Sequence, residues 1–153
     1  ELDVRVDWRE HRRVAKLVLS SATPVARRTD GIQEMGLDRA QDGREYPLID
    51  WSVAHAGAAG IADAGAVGVA CPDCFALSGE DREVAFTLLR SPVFAWHDPA
   101  VLEPHQLRRH TDQGWHRFRF AIRAGADAAR SAADAAAFHL PPACLDWTKG
   151  MQP

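Results

Sequence analysis

Four kinds of residue in this chain could do chemistry. The sharpest short pattern is Cys71-Pro72-Asp73-Cys74. Two thiols at this spacing can hold zinc or run thiol–disulfide exchange. Zinc requires two more ligands, and neither a second Cys-x-x-Cys nor a close His pair follows. Thioredoxin-like exchange belongs in a βαβ context that the sequence lacks. The two cysteines are therefore read as flanking a β-turn with Pro72-Asp73 as its turn residues. The histidines His97, His105, His110 and His116 raise a second metal possibility. His116 shares an alternating face with Phe118 and Phe120, which marks a hydrogen-bonded core histidine. The other three fall at irregular spacing in loops and are read as solvated. The carboxylates Glu34, Asp38, Glu45 and Asp50 could supply a pair for glycoside chemistry. The plainer reading makes them solvated turn charges or partners for Arg39, Arg44 and Arg90. Trp51, Trp96 and Trp115 could stack on sugar rings, since an exposed indole offers a flat apolar face. Trp51 is read as core and Trp96 as the best exposed candidate.

The element that must position these groups is Asp81–Pro99, DREVAFTLLRSPVFAWHDP. Val84, Phe86 and Leu88 alternate on one side, and Ala85, Thr87 and Leu89 on the other. A strand apolar on both faces is sheltered by a second layer, so it belongs near the middle of a sandwich. Arg90 falls at its end, on the Val84/Phe86/Leu88 side, where a charge needs a partner or water. Other strands are expected around it. Leu2–Trp8 alternates well, and Val14–Ser20 follows after a charged turn, so the two predict a hairpin or meander. Pro24–Asp30 is polar and reads as a loop. A strand is expected near Ile32–Leu37, an exposed turn at Gln41–Gly43, and a strand at Leu48–His55 with Ile49, Trp51 and Val53 on one side. Gly60–Asp63 and Val67–Ala70 read as short strands, and Phe75–Leu77 leads to a turn at Gly79–Asp81. Asp112 and Gly114 read as turn residues before Trp115–Arg123, the cleanest alternation in the chain. Ala126–Phe138 is alanine-rich without a β-branched residue, which favours helix. Leu140–Pro142 stops it.

About nine short strands at even spacing predict an all-β sandwich or barrel-like fold with one Ala-rich helix near the C-terminus. The 153 residues fit one domain, with 1–124 as the sandwich and 125–153 as its helix and tail. With 46% hydrophobic and 25% charged residues the chain can bury a core. A net charge of −3 gives no basic footprint and argues against a nucleic-acid partner. No apolar run reaches the roughly 18–20 residues that would span a membrane. The first residues, ELDVRVDW, form a charged strand signal without an initiator Met, which suggests a piece of a longer protein. Three cysteines make an odd number, so no disulfide framework is expected, and a reducing cytoplasm is.

Several stretches, in chain order, resemble the C-terminal β-sandwich region of family 38 glycoside hydrolases, the α-mannosidases. They are Val6-Asp7-Trp8-Arg9-Glu10-His11; Gly36, Arg39, Glu45-Tyr46-Pro47 and Trp51; Gly60-Ile61-Ala62 with Ala64-Gly65 and Gly68; Leu88-Leu89-Arg90-Ser91-Pro92; and Asp112-x-Gly114-x-His116-x-Phe118. The set covers about residues 3–124. The chain departs from the pattern at Ala62-Asp63, where the family usually has Asn-Asp, and at Val67, where it often has tyrosine. The resemblance implies a retaining enzyme whose aspartate nucleophile and zinc lie in an N-terminal barrel domain. No catalytic residue, metal ligand or cofactor is therefore carried over to this chain. It implies a mainly antiparallel β-sandwich of supersandwich-like form that packs on that barrel, with loops near the active-site edge. The matching positions Arg90, Asp112 and His116 are expected to be mostly structural; with the exposed Trp96 and its neighbour His97, Arg90 and Asp112 are also the carbohydrate-contact candidates, and Trp51, Gly60, Gly114 and His116 are structural motif residues. The competing expectation is a free-standing carbohydrate-binding or protein-interaction module. A severed sandwich is expected to expose an apolar patch or an unpaired strand and to self-associate through it.

Overall fold

The computed structural model describes residues 1–32, 35–57, 65–93 and 109–139. Among these residues ten strands precede one helix. The strands are β1 (Leu2–Trp8), β2 (Val14–Ser20), β3 (Val25–Ile32), β4 (Met35–Arg39), β5 (Asp42–Pro47), β6 (Trp51–Ala56), β7 (Ala66–Ala70), β8 (Ala76–Glu80), β9 (Glu83–Arg90) and β10 (Gly114–Ala124). The helix is α1 (Ala128–His139). All named pairings are antiparallel. One sheet has the order β1-β10-β7-β6-β3-β4 and the other β2-β9-β8-β5. The fold is all-β, a sandwich of two antiparallel sheets with one short C-terminal helix.

The inner faces of the two sheets meet in one apolar core. Phe118 and Phe120 of β10 and Val69 of β7 face Leu77 of β8 and Val84, Phe86 and Leu89 of β9. The Phe86 and Phe120 rings meet edge to face across the gap, 5.6 Å between centroids, the arrangement that ring quadrupoles favour. A second cluster lies on the far side of the six-stranded sheet, where α1 packs Ala128, Ala132, Ala135 and Phe138 against Trp51, Val53, Ala66 and Ala70. The spacing of those helix residues places them on one stripe. Asp127 caps the helix, its Oδ1 accepting from the Arg130 N–H at 2.7 Å, which satisfies one of the free donors of the first turn. Gly68 lets the helix approach, since a Cβ there would collide with the Ser131 hydroxyl of α1 and lie 2.7 Å from the Cβ of Ala126 just before it.

β1 and β2 do not pair. β1 pairs with β10 and β2 with β9, so the connection between them crosses from one sheet to the other. The segment read as a polar loop is β3, a strand with Arg28 and Asp30 fully buried. Its polarity hides it because the two charges satisfy each other: Arg28 Nε lies 3.0 and 3.1 Å from the Asp30 oxygens. The Ser52 hydroxyl donates to Asp30 at 2.7 Å, and Arg28 Nη1 donates to Gln41 at 3.0 Å. Burial pushes the Asp30 carboxyl up, against the pull of Ser52 and Arg28. Of the stretch expected to be a turn at Gln41–Gly43, Asp42 and Gly43 open strand β5, and Gly79 lies inside β8. The strand expected at Leu48–His55 begins only at Trp51; Leu48 is core and Ile49 is exposed. The expected Gly60–Asp63 strand and the Leu140–Pro142 stop lie outside the described residues.

Candidate functional site

Arg90 is where the expected side-chain arrangement changes. Between β2 and β9, Ala15 faces Leu89 while the next residue, Lys16, faces Thr87, so Leu88 is an extra, bulged residue. A one-residue bulge inverts the alternation beyond it. Leu89 therefore joins Val84 and Phe86 in the core, and Arg90 turns to the outer face of the four-stranded sheet. There Arg90 Nη2 donates to Glu45 Oε2, and the Thr87 hydroxyl donates to Glu45 Oε1. Nearby on the same face, Lys16 Nζ donates to Ser78 Oγ at 3.0 Å. Burial alone would push the Glu45 carboxyl up, but the Thr87 hydroxyl, the Arg90 guanidinium and the Lys16 charge together hold it below its ordinary range. Glu45 is thus ionised near neutrality with both oxygens committed. It is set to hold Arg90, not to exchange protons.

The backbone of Arg90 is fixed as firmly. Its N–H donates to Asp112 Oδ2 at 2.9 Å, and its carbonyl accepts from the Thr111 hydroxyl at 2.9 Å. Asp112 adopts a left-handed backbone (φ 54°), and Gly114 follows at φ 110°, a conformation that glycine adopts without the strain a side chain brings. His116 Nε2 lies 3.0 Å from the Asp112 carbonyl oxygen, and its ring stacks on Phe118. His116 is thus a hydrogen-bonded inner-face side chain, half-buried. Ser91 is fully buried and bonds both ways with the Arg13 backbone, accepting from its N–H at 3.1 Å and donating to its carbonyl at 3.2 Å. His110 pairs by backbone with Val93, and its ring lies parallel to that of His11 at 4.0 Å. Glu45, Thr87, Arg90, Asp112 and His116, from three separate stretches, therefore form one connected structure. Arg90 is half-exposed, and among the described residues its guanidinium bonds to Glu45 alone; a guanidinium suits paired hydrogen bonds to a hydroxyl-rich or anionic group.

The remaining candidates scatter. Asp38 accepts from the Thr29 hydroxyl at 2.6 Å, and Asp50 pairs with His139 at 3.2 Å. Glu45, by contrast, sits on the outer face of the other sheet. These three carboxylates have separate partners and form no acid–base pair. Trp51 packs over Gly31 and Gly36, where a Cβ would come within 2.7 and 3.0 Å of its ring. It is core, as its pattern predicts. Trp115 is 75% exposed on the outer face of β10, near the Arg117–Asp3 ion pair. Gly60, Trp96, His97, His105 and Glu34 lie outside the described residues. Among the described residues, no group of three or more His, Cys, Asp or Glu is placed to hold a metal ion. No described helix is long and apolar enough to cross a membrane. At the end of the sandwich away from Arg90, a half-open cleft of about 360 Å³ enters between the sheets. Its walls include Leu19, Val25, Val67, Val69, Val84 and Phe86, so it favours apolar groups.

Sequence reasoning missed Thr87, Lys16 and Ser78 as members of the Arg90 cluster. Thr87 had a signal, a hydroxyl inside an otherwise apolar strand. Lys16 and Ser78 had none, because their meeting depends on strand order. No protein-family model matches the chain, and no curated protein matches it.

Proposed function

We propose that this chain is the C-terminal β-sandwich part of an α-mannosidase-like glycoside hydrolase. On this reading it makes and breaks no bond itself. It braces an N-terminal catalytic barrel that would hold zinc and the nucleophile, and Arg90 stands at the edge that meets glycan. The observation carrying the proposal is the Arg90 cluster. Three of the stretches on which the resemblance rests, Glu45-Tyr46-Pro47, Leu88–Pro92 and Asp112-x-Gly114-x-His116, are far apart in sequence and bond to one another in space. Trp51 seated over Gly36 joins two more of its positions. Such interdependence is what keeps separate short motifs together in one ordered set.

The test is to read the coding region upstream of Glu1 and to express the protein it encodes through Pro153. A barrel-encoding stretch and zinc-dependent cleavage of an aryl α-mannoside are expected, with no cleavage by residues 1–153 alone. An upstream stop codon in frame, or turnover by the isolated chain, refutes the proposal. The second reading, a free-standing carbohydrate-binding module, draws on Trp115, a flat indole open to solvent beside charged donors. It predicts saturable binding of a mannose oligosaccharide by the isolated chain as a monomer, abolished by Trp115→Ala. Self-association through an edge strand, which among the described residues is β1, β2, β4 or β5, is expected of the first reading and not of the second.

A further inference from the structure

We propose that Cys71 and Cys74 are a redox-modifiable pair, which a low-molecular-weight disulfide such as oxidised glutathione converts into an intramolecular disulfide that staples the crossing between the two sheets. The proposal does not depend on the enzyme family. Cys71 follows β7 of the six-stranded sheet directly, and Cys74 stands two residues before β8 of the four-stranded sheet. The turn between them is therefore the passage from one layer to the other. The Cys74 N–H approaches the Cys71 carbonyl at 3.4 Å. A β-turn brings its first and last α-carbons within about 7 Å, and a disulfide needs about 4.4–6.8 Å. Both cysteines are free, fully buried and in the same core cluster. The neighbouring Cys71 thiol and burial push the Cys74 thiol far above its ordinary range.

The surroundings fix this corner. Asp73, in the middle of the turn, accepts from the Arg119 backbone N–H at 3.0 Å and is held by its guanidinium at 3.4 Å. A second crossing runs alongside. The Cys71 N–H donates to Asp50 O at 2.6 Å, and the Leu48 N–H donates to Phe75 O at 3.0 Å. Phe75, the next residue after Cys74, is 75% exposed, so the corner reaches the surface although its sulfurs do not.

In the reaction one cysteine, opened to solvent and deprotonated, attacks a sulfur of oxidised glutathione. A mixed disulfide forms and one glutathione thiolate leaves. The second cysteine, deprotonated, attacks the protein sulfur of the mixed disulfide, forming the Cys71–Cys74 bond and expelling the second glutathione. The two protons lost by the cysteines end on the two glutathione thiols. The protein is oxidised by two electrons and the glutathione disulfide reduced by two. With the fully buried pair in its reduced form, the modification is slow and needs the corner to open.

The experiment treats the native full chain, and its Cys144→Ser variant, with oxidised glutathione. Intact mass, non-reducing peptide mapping and thermal unfolding are then recorded. The Cys144→Ser variant removes the third thiol. Loss of two hydrogens mapped to Cys71–Cys74 is expected in both proteins, with a Tm above that of the reduced form and full reversal by dithiothreitol. Loss of that mass change in Cys71→Ser and Cys74→Ser confirms the pair; if either variant fails to fold, peptide mapping of Cys144→Ser decides alone. A glutathione adduct that persists on Cys71 or Cys74 overturns the proposal. So does absence of the bond in native protein under conditions that form it in urea, or an oxidised form with a lower Tm.

Discussion

Replacing Asp30 with alanine is expected to be among the most damaging single changes in this fold. Asp30 is fully buried beside the equally buried Arg28. Both its oxygens accept from Arg28 Nε, and Ser52 donates to one of them. Removing the carboxylate leaves the guanidinium with one neutral acceptor, Gln41, and among the described residues Arg28 Nη2 already has no partner. Stripping one partner from a buried ion pair costs about 3–5 kcal/mol. In a chain of this length each kcal/mol moves Tm by about 2–4 °C, so Asp30→Ala is expected to lower Tm by roughly 6–20 °C. The loss arises from the stranded charge, not from a missing attraction. The double variant Arg28→Met/Asp30→Leu, which removes both charges and keeps volume, is therefore expected to recover most of it. Urea unfolding followed by tryptophan fluorescence measures both, with buried Trp51 as a reporter. A single-variant loss below about 1 kcal/mol, the range of a solvated pair, would sink the argument. A double variant no more stable than Asp30→Ala would sink it too.

Three further changes follow from the same structure. Phe86→Ala removes a fully buried ring that meets Phe120 edge to face; a loss of about 3–5 kcal/mol is expected in the urea midpoint, and a loss under about 1 kcal/mol contradicts the placement of the core. Glu45→Gln frees a half-exposed Arg90, so stability is expected to fall by less than about 1 kcal/mol while the Arg90 side-chain resonances lose their restricted environment, as NMR relaxation will report. Acidification is expected to lower Tm. Asp134 and Asp3 are held below the ordinary carboxylate range, first by hydrogen bonds from Arg123 and Arg117. Their folded values lie below the unfolded one, so the stability they contribute is present above about pH 4 and is lost as pH falls through their lowered values. A Tm flat from about pH 5 to about pH 2 contradicts this.

Where alternation is strict, the sequence was a sound guide. β1, β2 and β10 begin and end within a residue or so of where their patterns place them, and α1 starts inside its alanine-rich stretch and runs one residue past it, to His139. Which strands pair was not legible. Adjacent strands in a sandwich can belong to facing layers, as β1 and β2 do, and nothing in a charged turn says which. β3 was invisible because its inward-facing residues include an arginine and an aspartate, whose burial is tolerable only because they meet each other. The Arg90–Glu45 pair was partly legible, since a charge ending an apolar strand requires a partner. Its face was not.

The reason is shared by three strands. Each of β3, β5 and β9 breaks register by one residue against a neighbour, at Ala26, at Gly43–Arg44 and at Leu88. A two-residue period cannot be read through such a break. The breaks also place the polar groups of interest. The first lets Val25 and Arg28 both turn inward, and the second turns Glu45 toward Thr87. The third keeps Arg90 out of the core. Without it, strict alternation from Phe86 would carry the guanidinium between the sheets. Deleting Leu88 is therefore expected to be tolerated, because Leu89 then takes the inner position and Arg90 stays outside with Glu45. The loss is limited to the packing of one half-buried leucine, about 1–2 kcal/mol. Inserting alanine between Leu89 and Arg90 is expected to be far worse, because it turns the charge inward and breaks the pair. Urea midpoints of the two variants decide the matter. A deletion as damaging as the insertion would mean that the bulge, and not the side on which Arg90 emerges, is what the fold requires.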